Sequence, residues 1–194
     1  MRRKIDLPAS GGFLTPLRIE LGDDGLWILT HELVWKGSDG DVLVVPAGSE
    51  TDFASVPRLL QFLLPSADPR VVRAAVVHDF LCQELNDYHR QLVRYRQGRA
   101  QSLATGLENP ILKPDVPAFS AVDADGVFEK IMRDEGASWF MQDVAWLGVR
   151  LGALANPARR QDWGSTAGRV VGLALFHLFL TALALCLIAL IIPL

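Results

Sequence analysis

The chain has 194 residues, half of them apolar, with 19 basic and 22 acidic side chains and a formal net charge of −3. All of these charges lie before position 170, whereas residues 170–194 contain 21 apolar side chains and no charged one. The first 169 residues are about 45% apolar, which is ordinary for a water-soluble domain. This distribution excludes a disordered chain, a collagen and a polytopic membrane protein. It predicts one soluble domain followed by an apolar segment.

The first half of the domain has the pattern of short strands. The N-terminus is basic but lacks an apolar run, so we expect no secretory signal. Three β-rich runs follow at 13–21, 26–34 and 42–45, separated by glycine–aspartate turns at 22–25 and 37–40. Such turns between short apolar runs predict a small antiparallel β-meander.

A helical pattern follows a polar loop at 46–57. Pro69 is suited to the first turn of a helix, and the apolar periodicity continues to about Leu85. Residues 86–120 differ in composition, with four arginines near the start and three prolines near the end. We interpret this stretch as an insertion, and its arginines as a solvated helix face or, alternatively, a contact for phosphate or lipid head groups.

Two further helices are predicted before the apolar segment. The first runs from Asp125 to Gly136, where glycine can cap the end. The second follows Ser138 and reaches about Ala153, and we expect its large apolar side chains to lie in the core, namely Trp139, Phe140, Trp146 and Leu147. Strands first and helices afterwards indicate an α+β fold. The predicted organisation is a soluble domain over 1–155, a linker over 156–169 and a transmembrane helix over 170–192.

The apolar segment is long enough for a bilayer, whose hydrocarbon core needs about 20 helical residues. It is apolar on every side, unlike most core helices. We expect the segment to span a membrane, with side chains at regular intervals along it lying in the bilayer, namely Val170, Leu175, Leu180, Leu185 and Leu190. Three arginines precede the segment, at 159, 160 and 169, and none follows it. The positive-inside bias therefore predicts a tail-anchored protein with its domain in the cytoplasm, unless the chain is a virion component delivered from outside. The two cysteines, Cys82 and Cys186, lie in the domain and in the segment, so we expect neither a disulfide nor a zinc site.

Two segments contain the chemistry-bearing residues. The first is 51–58, TDFASVPR, and the second is 74–82, AAVVHDFLC. A histidine and an aspartate on an apolar helix are costly to bury without partners, and Asp52 and Ser55 are the natural partners for His78. Asp52, His78 and Asp79 would then form an acid/base or metal-binding cluster. The alternative, which we favour from residue chemistry alone, is structural: Asp52 caps its loop, while His78 and Asp79 bond to backbone and fix the strand layer to the helix.

Established catalytic patterns fit this chain poorly. A metal-dependent His-Asp phosphohydrolase would need a further histidine and aspartate, for which His31 and Asp123 stand in the right order, but His31 falls in a predicted strand. The cofactor is unknown: a divalent metal is compatible with the carboxylates, but no ligand-spacing motif supports it. Cys82 lies one helical turn after His78 and is better interpreted as a small buried side chain than as a nucleophile.

These segments resemble an uncharacterised family encoded by tailed bacteriophages and prophages. Its hallmark is a T-D-F-A-S-[VI]-P loop followed by a helical H-D-x-L, matched here by residues 51–57 and 78–81. A third element of the family, A-D-x-x-F-x-x-x-M, is similar to residues 124–132. Members often have tyrosine where this chain has Cys82. The resemblance covers about 13–153 and implies a phage origin, a small α+β domain and no settled activity.

Two functions follow as expectations. The first, which we favour, is a phage accessory protein of the virion, tail tip or lysis system, associated with the host membrane through residues 170–192. Its partners would be the membrane and other phage structural or lysis proteins, a homo-oligomer is compatible with the sequence, and nucleic acid is not expected. The second is a membrane-tethered hydrolase of cell-wall or phosphate-containing substrates, with Asp52, His78, Asp79 and Asp125 at its centre.

Overall fold

The computed structural model describes residues 3–53, 68–106, 111–160 and 163–191, with side chains as far as residue 183. The strands form two antiparallel sheets, one with the order β1-β2-β3-β6 and one pairing β4 with β5. Their bounds are β1 Lys4–Leu7, β2 Leu17–Leu21, β3 Trp27–Leu29, β4 Leu33–Lys36, β5 Val42–Val45 and β6 Glu50–Thr51. In β2, buried Leu17 and Ile19 alternate with outward-facing charged residues, as expected for a sheet with one solvated face.

The predicted meander is correct in its turns and wrong in some of its strands. Both glycine turns form, closed by the Gly22 N–H to Leu26 O bond of 2.7 Å and the Gly37 N–H to Asp41 O bond of 2.8 Å. The predicted strand 26–34 is in fact two strands, because the chain bends at 30–32 and passes from one sheet to the other. The first predicted strand begins at Leu17 rather than at residue 13, and β1 and β6 were not predicted.

Helices make up most of the remaining chain. They are α1 Pro69–Thr105, α2 Ala121–Asp134, α3 Trp139–Ala153, the short α4 Pro157–Arg160 and α5 Ala167–Ile191, with a 3-10 turn at Trp163–Thr166 before α5. Helix α1 begins at Pro69 as predicted, with the Asp68 side chain capping its first turn. The predicted end near Leu85 is wrong, because burial stops there while the helix continues to Thr105 and ends at Gly106. The first part of the predicted insertion, residues 86–105, is therefore the solvated C-terminal half of α1.

The caps of α2 and α3 follow the sequence chemistry closely. Helix α2 begins earlier than predicted, at Ala121, because Ser120 and Asp123 form a reciprocal capping box. Gly136, with a φ of +75°, follows its end, and the Ala137 N–H bonds back to the Met132 carbonyl at 2.9 Å. Ser138 caps α3 as predicted by accepting from the Met141 N–H.

The core lies between the sheets and the buried faces of α1, α2 and α3. Trp146 and Leu147 are buried as predicted, but Trp139 and Phe140 are 57% and 37% exposed, so their assignment to the core is wrong. The first turn of α3 projects beyond the core, and burial begins only at Val144. The fold is α+β, with strands first and a helical layer afterwards.

Helix α5 matches the predicted apolar segment. Within the described part of the chain, Trp163–Leu183 is one stretch long and apolar enough to cross a membrane, and little of it is buried. Val170, predicted to span the membrane, packs instead against Trp146 and Leu147 of the domain. Leu175 is exposed and Leu180 half-buried, and the side chains at 185 and 190 lie outside the described ones. The predicted linker 156–169 contains α4 and the 3-10 turn.

Candidate functional site

A buried ion pair joins helices α1 and α2. His78 is completely buried on the inner face of α1, where its ring meets Phe128 edge-on at a centroid distance of 5.4 Å. Its Nε2 lies 2.6 Å from Oδ1 of Asp125, a residue of α2 that is also completely buried. The capping box at Ser120 fixes the start of α2 and with it the position of this carboxylate, one turn into the helix.

Two arginines complete the arrangement. Arg150 of α3 donates from Nη1 to Asp125 Oδ2 at 2.6 Å. Arg159 of α4 donates from Nη2 to Asp125 Oδ1 at 2.8 Å and to the Val149 carbonyl at 2.9 Å. The four side chains, His78, Asp125, Arg150 and Arg159, are called the buried ion cluster here. Because each comes from a different helix, the cluster connects α1, α2, α3 and α4.

The buried ion cluster has an excess of positive charge. Burial alone would lower the pKa of His78, but its interactions with Asp125 and Cys82 together outweigh this and raise the pKa to about 9. Burial would raise the pKa of Asp125, but His78 and the two guanidinium groups hold it below its usual value. One carboxylate therefore faces an imidazolium and two guanidinium groups. Among the described residues, Nε and Nη2 of Arg150 and Nε of Arg159 have no acceptor, although all three atoms are buried.

A surface cleft of about 330 Å³ lies beside the buried ion cluster. Thr51 and Asp52 of the β6 end line one side, Asp79 and Cys82 of α1 line another, and Arg159 belongs to both the cleft and the cluster. The Thr51 hydroxyl donates to Asp79 Oδ2 at 2.5 Å and accepts from the Phe53 N–H at 3.2 Å. The carboxylate of Asp79 is thereby fixed at the junction between the sheet and α1.

The structure separates the residues that the sequence placed in one cluster. Asp52 and Asp79 line the cleft, whereas His78, although adjacent to Asp79 in sequence, points into the interior. Asp125 is an acidic partner of His78 that the sequence did not pair with it, and Ser55 lies outside the described residues. Cys82 contacts His78 as expected, with Sγ 3.6 Å from Nε2, and is 9% exposed.

The described contacts of Asp79 and His78 bear on the structural alternative. Asp79 connects α1 to the strand layer through the side chain of Thr51. His78 connects helices to one another through the side chain of Asp125, and no strand takes part in that contact.

Neither additional residue of the phosphohydrolase pattern reaches the cleft. His31 lies in the bend between β3 and β4, not in a strand, and lines a separate cavity beside β1 and β2. Asp123 is engaged in capping α2. Over the ranges that the structure describes, no group of three or more histidine, cysteine or acidic side chains is disposed to hold a metal ion.

Arg150 and the structural role of Arg159 were not predicted from the sequence. Arg150 stands inside an otherwise apolar run, 144–151, where a single cation indicates a buried partner. Arg159 was interpreted as a charge flanking the membrane segment, yet it is only 6% exposed. No sequence pattern paired either arginine with Asp125, because the three residues are brought together only by helix packing.

The fold and the cleft define a small α+β domain, built around a buried ion cluster and continuous with a long apolar helix. Residues 27–149 match the family of proteins of unknown function DUF1353, and the chain belongs to that family. The match runs from β3 into α3 and includes Asp52, His78, Asp79 and Asp125, whereas Arg159 and α5 lie beyond it. The chain matches none of the curated proteins and none of the solved structures.

Proposed function

We propose that this protein is a bacteriophage-encoded accessory protein of the virion, tail tip or lysis system, anchored in the host membrane by α5. The observation that carries the proposal is the exposure of apolar side chains along this helix. Val171, Leu175, Leu178 and Phe179 are each more than half exposed, and no charged residue follows Arg169 in the sequence.

A bilayer accounts for this exposure better than water does. Surface patches of this kind are rare on soluble monomers and mark interaction sites. Helix α5 has 25 residues, which at 1.5 Å per residue give about 37 Å, enough for a hydrocarbon core of about 30 Å. A helix also satisfies its own backbone hydrogen bonds, which lipid cannot do.

The flanking charges support a cytoplasmic domain. Arg160 and Arg169 precede the apolar part of α5, and Arg169 pairs with Glu129 at 2.6 Å while its guanidinium lies 3.9 Å above the ring of Trp146. Arg159 is buried and does not act as a flanking charge. In a virion the same helix would be shielded before host entry. The phage origin rests on the resemblance of 51–57 and 78–81 to the loop and helix described above.

Charged substitutions on the exposed side of α5 test the anchor. The double variant Leu178→Lys/Leu183→Lys changes two exposed side chains of α5. Each lysine near a bilayer centre costs about 3 kcal/mol. We expect the full chain to stay with membranes after alkaline carbonate extraction and the double variant to be released. Leu103→Lys, at a 79% exposed position of α1, is the matched control and should stay with the membranes. Release of the unmodified chain, or retention of the double variant, would refute the anchor.

A second candidate function is a membrane-tethered hydrolase, and the composition of the cleft favours it. Asp52 and Asp79 supply carboxylates for general acid/base chemistry, and Arg159 supplies a cation for an anionic group such as phosphate. Asp125 and the other members of the buried ion cluster would position Arg159 and would not themselves contact substrate. The same two carboxylates could also serve as general acid and base on a cell-wall substrate.

The variant Asp79→Asn tests the hydrolase candidate, because it changes the cleft and leaves the sequence of α5 unaltered. With isolated peptidoglycan and an aryl phosphate as probes, removing a general acid or base should lower the rate by about 10²–10⁴-fold. Asp41→Asn, an exposed aspartate in the turn before β5, is the control and should retain the rate. A wild-type chain inactive on both probes, or an Asp79→Asn variant as active as wild type, would reject this candidate.

A further inference from the structure

Two aromatic side chains at the start of α3 are exposed without a catalytic or core role. Trp139 is 57% exposed and Phe140 37%, whereas Trp146, two turns later on the same helix, is 2% exposed. Burying a large aromatic side chain is strongly favourable. An exposed tryptophan beside an exposed phenylalanine therefore indicates a surface that is covered in the functional state.

These rings are continuous with the apolar surface of α5. The Trp139 ring lies parallel to the imidazole of His177, with an interplanar angle of 7° and a centroid distance of 6.2 Å, and its centroid is 6.2 Å from that of Phe176. Phe140 meets His177 edge-on at 5.2 Å. We call Trp139, Phe140, Phe176 and His177 the aromatic patch. The patch joins α3 to the part of α5 that we propose enters the membrane.

The contacts between α5 and the domain place the patch beside the start of the exposed part of the helix. Helix α5 packs on the domain from Val170, which lies in one cluster with Trp146, to His177, which contacts Trp139. Directly beyond the patch, Leu178 and Phe179 are 67% and 62% exposed. The rings packed against Phe176 and His177 therefore lie at the level where α5 leaves the domain and, by our proposal, enters the membrane.

We propose that the aromatic patch is a bilayer-contact site, in which Trp139 and Phe140 enter the interfacial layer of the membrane beside α5. The inference rests on the proposed anchoring by α5 and adds a second point of membrane contact, on the domain itself. Tryptophan suits this layer because its ring is apolar while its N–H can bond to head groups or water. With two separate contacts the domain is fixed against the membrane surface.

Depth-dependent quenching of tryptophan fluorescence tests the site. The full chain is reconstituted in phosphatidylcholine–phosphatidylglycerol vesicles, with acyl chains either unmodified or brominated near the head group. The contribution of Trp139 is the difference between wild type and Trp139→Phe. We expect brominated lipid to remove most of it and aqueous iodide to leave it nearly unchanged. Trp27→Phe provides the control, because Trp27 belongs to strand β3 and packs against Phe53, so its contribution should be insensitive to brominated lipid.

Vesicle flotation in the same experiment distinguishes failure of this site from failure of the anchor. Chains that float, with Trp139 quenched by iodide and not by brominated lipid, would overturn the contact site and leave the anchor intact. Protection of Trp139 from both quenchers would also overturn it, since protein and not lipid would then cover the patch. Chains that do not float would refute both the anchor and the site.

Discussion

The contribution of the buried ion cluster to the free energy of unfolding should decrease as the pH rises from neutral to alkaline. In the folded state the pKa of His78 is about 9, against an ordinary value of 6.5. Below pH 6.5 both the folded and the unfolded chain bind this proton, so its full contribution to stability is present. Between 6.5 and 9 the unfolded chain releases the proton while the folded chain keeps it, and the contribution is lost. The difference of about 2.5 pKa units corresponds to about 3 kcal/mol.

Urea unfolding of the full chain in detergent micelles measures this loss. The free energy of unfolding should fall by about 3 kcal/mol from slightly acidic to alkaline pH. His78→Gln is the comparison, because the glutamine amide can still donate to Asp125 but does not titrate in this range. The variant should be less stable at low pH and should lack this part of the pH dependence. Equal slopes for wild type and His78→Gln would refute the assigned proton and with it the charge state of the cluster.

Five further substitutions, arranged as three tests, probe the fold by the same unfolding measurement. Asp125→Asn leaves three buried cationic side chains without a counter-charge and should lower the free energy of unfolding by about 3–5 kcal/mol. A loss no larger than that caused by replacing an exposed aspartate with asparagine would contradict the buried ion cluster. Trp146→Ala should lower the free energy of unfolding by about 3–5 kcal/mol. Trp139→Ala, on the exposed first turn of α3, should lower it by about 0.5 kcal/mol. Equal losses would contradict the placement of Trp146, and not Trp139, in the core. Gly136→Ala should lower the free energy of unfolding by about 1–2 kcal/mol because the φ of Gly136 is +75°. Gly126→Ala, in open space on α2, should raise it by about 0.5–1 kcal/mol. A change of the same sign for both variants would contradict the helix end at Gly136.

Features fixed by local chemistry could be predicted from the sequence. The turns at 22–25 and 37–40, the start of α1 at Pro69 and the cap at Ser138 each depend on residues close in the chain. The apolar segment could be predicted because its composition alone determines a helix. The outer half of α1 could not, because it has no buried face to impose a periodic pattern.

The site depended on contacts that no local pattern contains. His78 and Asp79 were correctly selected as unusual residues on an apolar helix, but adjacent residues on a helix point in different directions, so one faces the interior and the other the cleft. The pair His78–Asp125 spans 47 positions and the pair Arg159–Asp125 spans 34. Trp139 was misplaced for a similar reason, since the sequence gives its size and not the point at which α3 meets the core.

The position of Arg159 has a mechanical consequence. Only a few residues separate α4 from α5, and Arg159 is held within the domain by Asp125 and by the Val149 carbonyl. If α5 is embedded in lipid, a force pulling the domain away from the membrane acts first on the contacts of α5 with Trp146 and Trp139 and then on this ion pair. The domain then cannot rotate freely above the bilayer, and the opening lined by Asp52 and Asp79 faces one fixed direction relative to the membrane plane. Whatever enters that opening must approach along a path set by the orientation of the anchored helix.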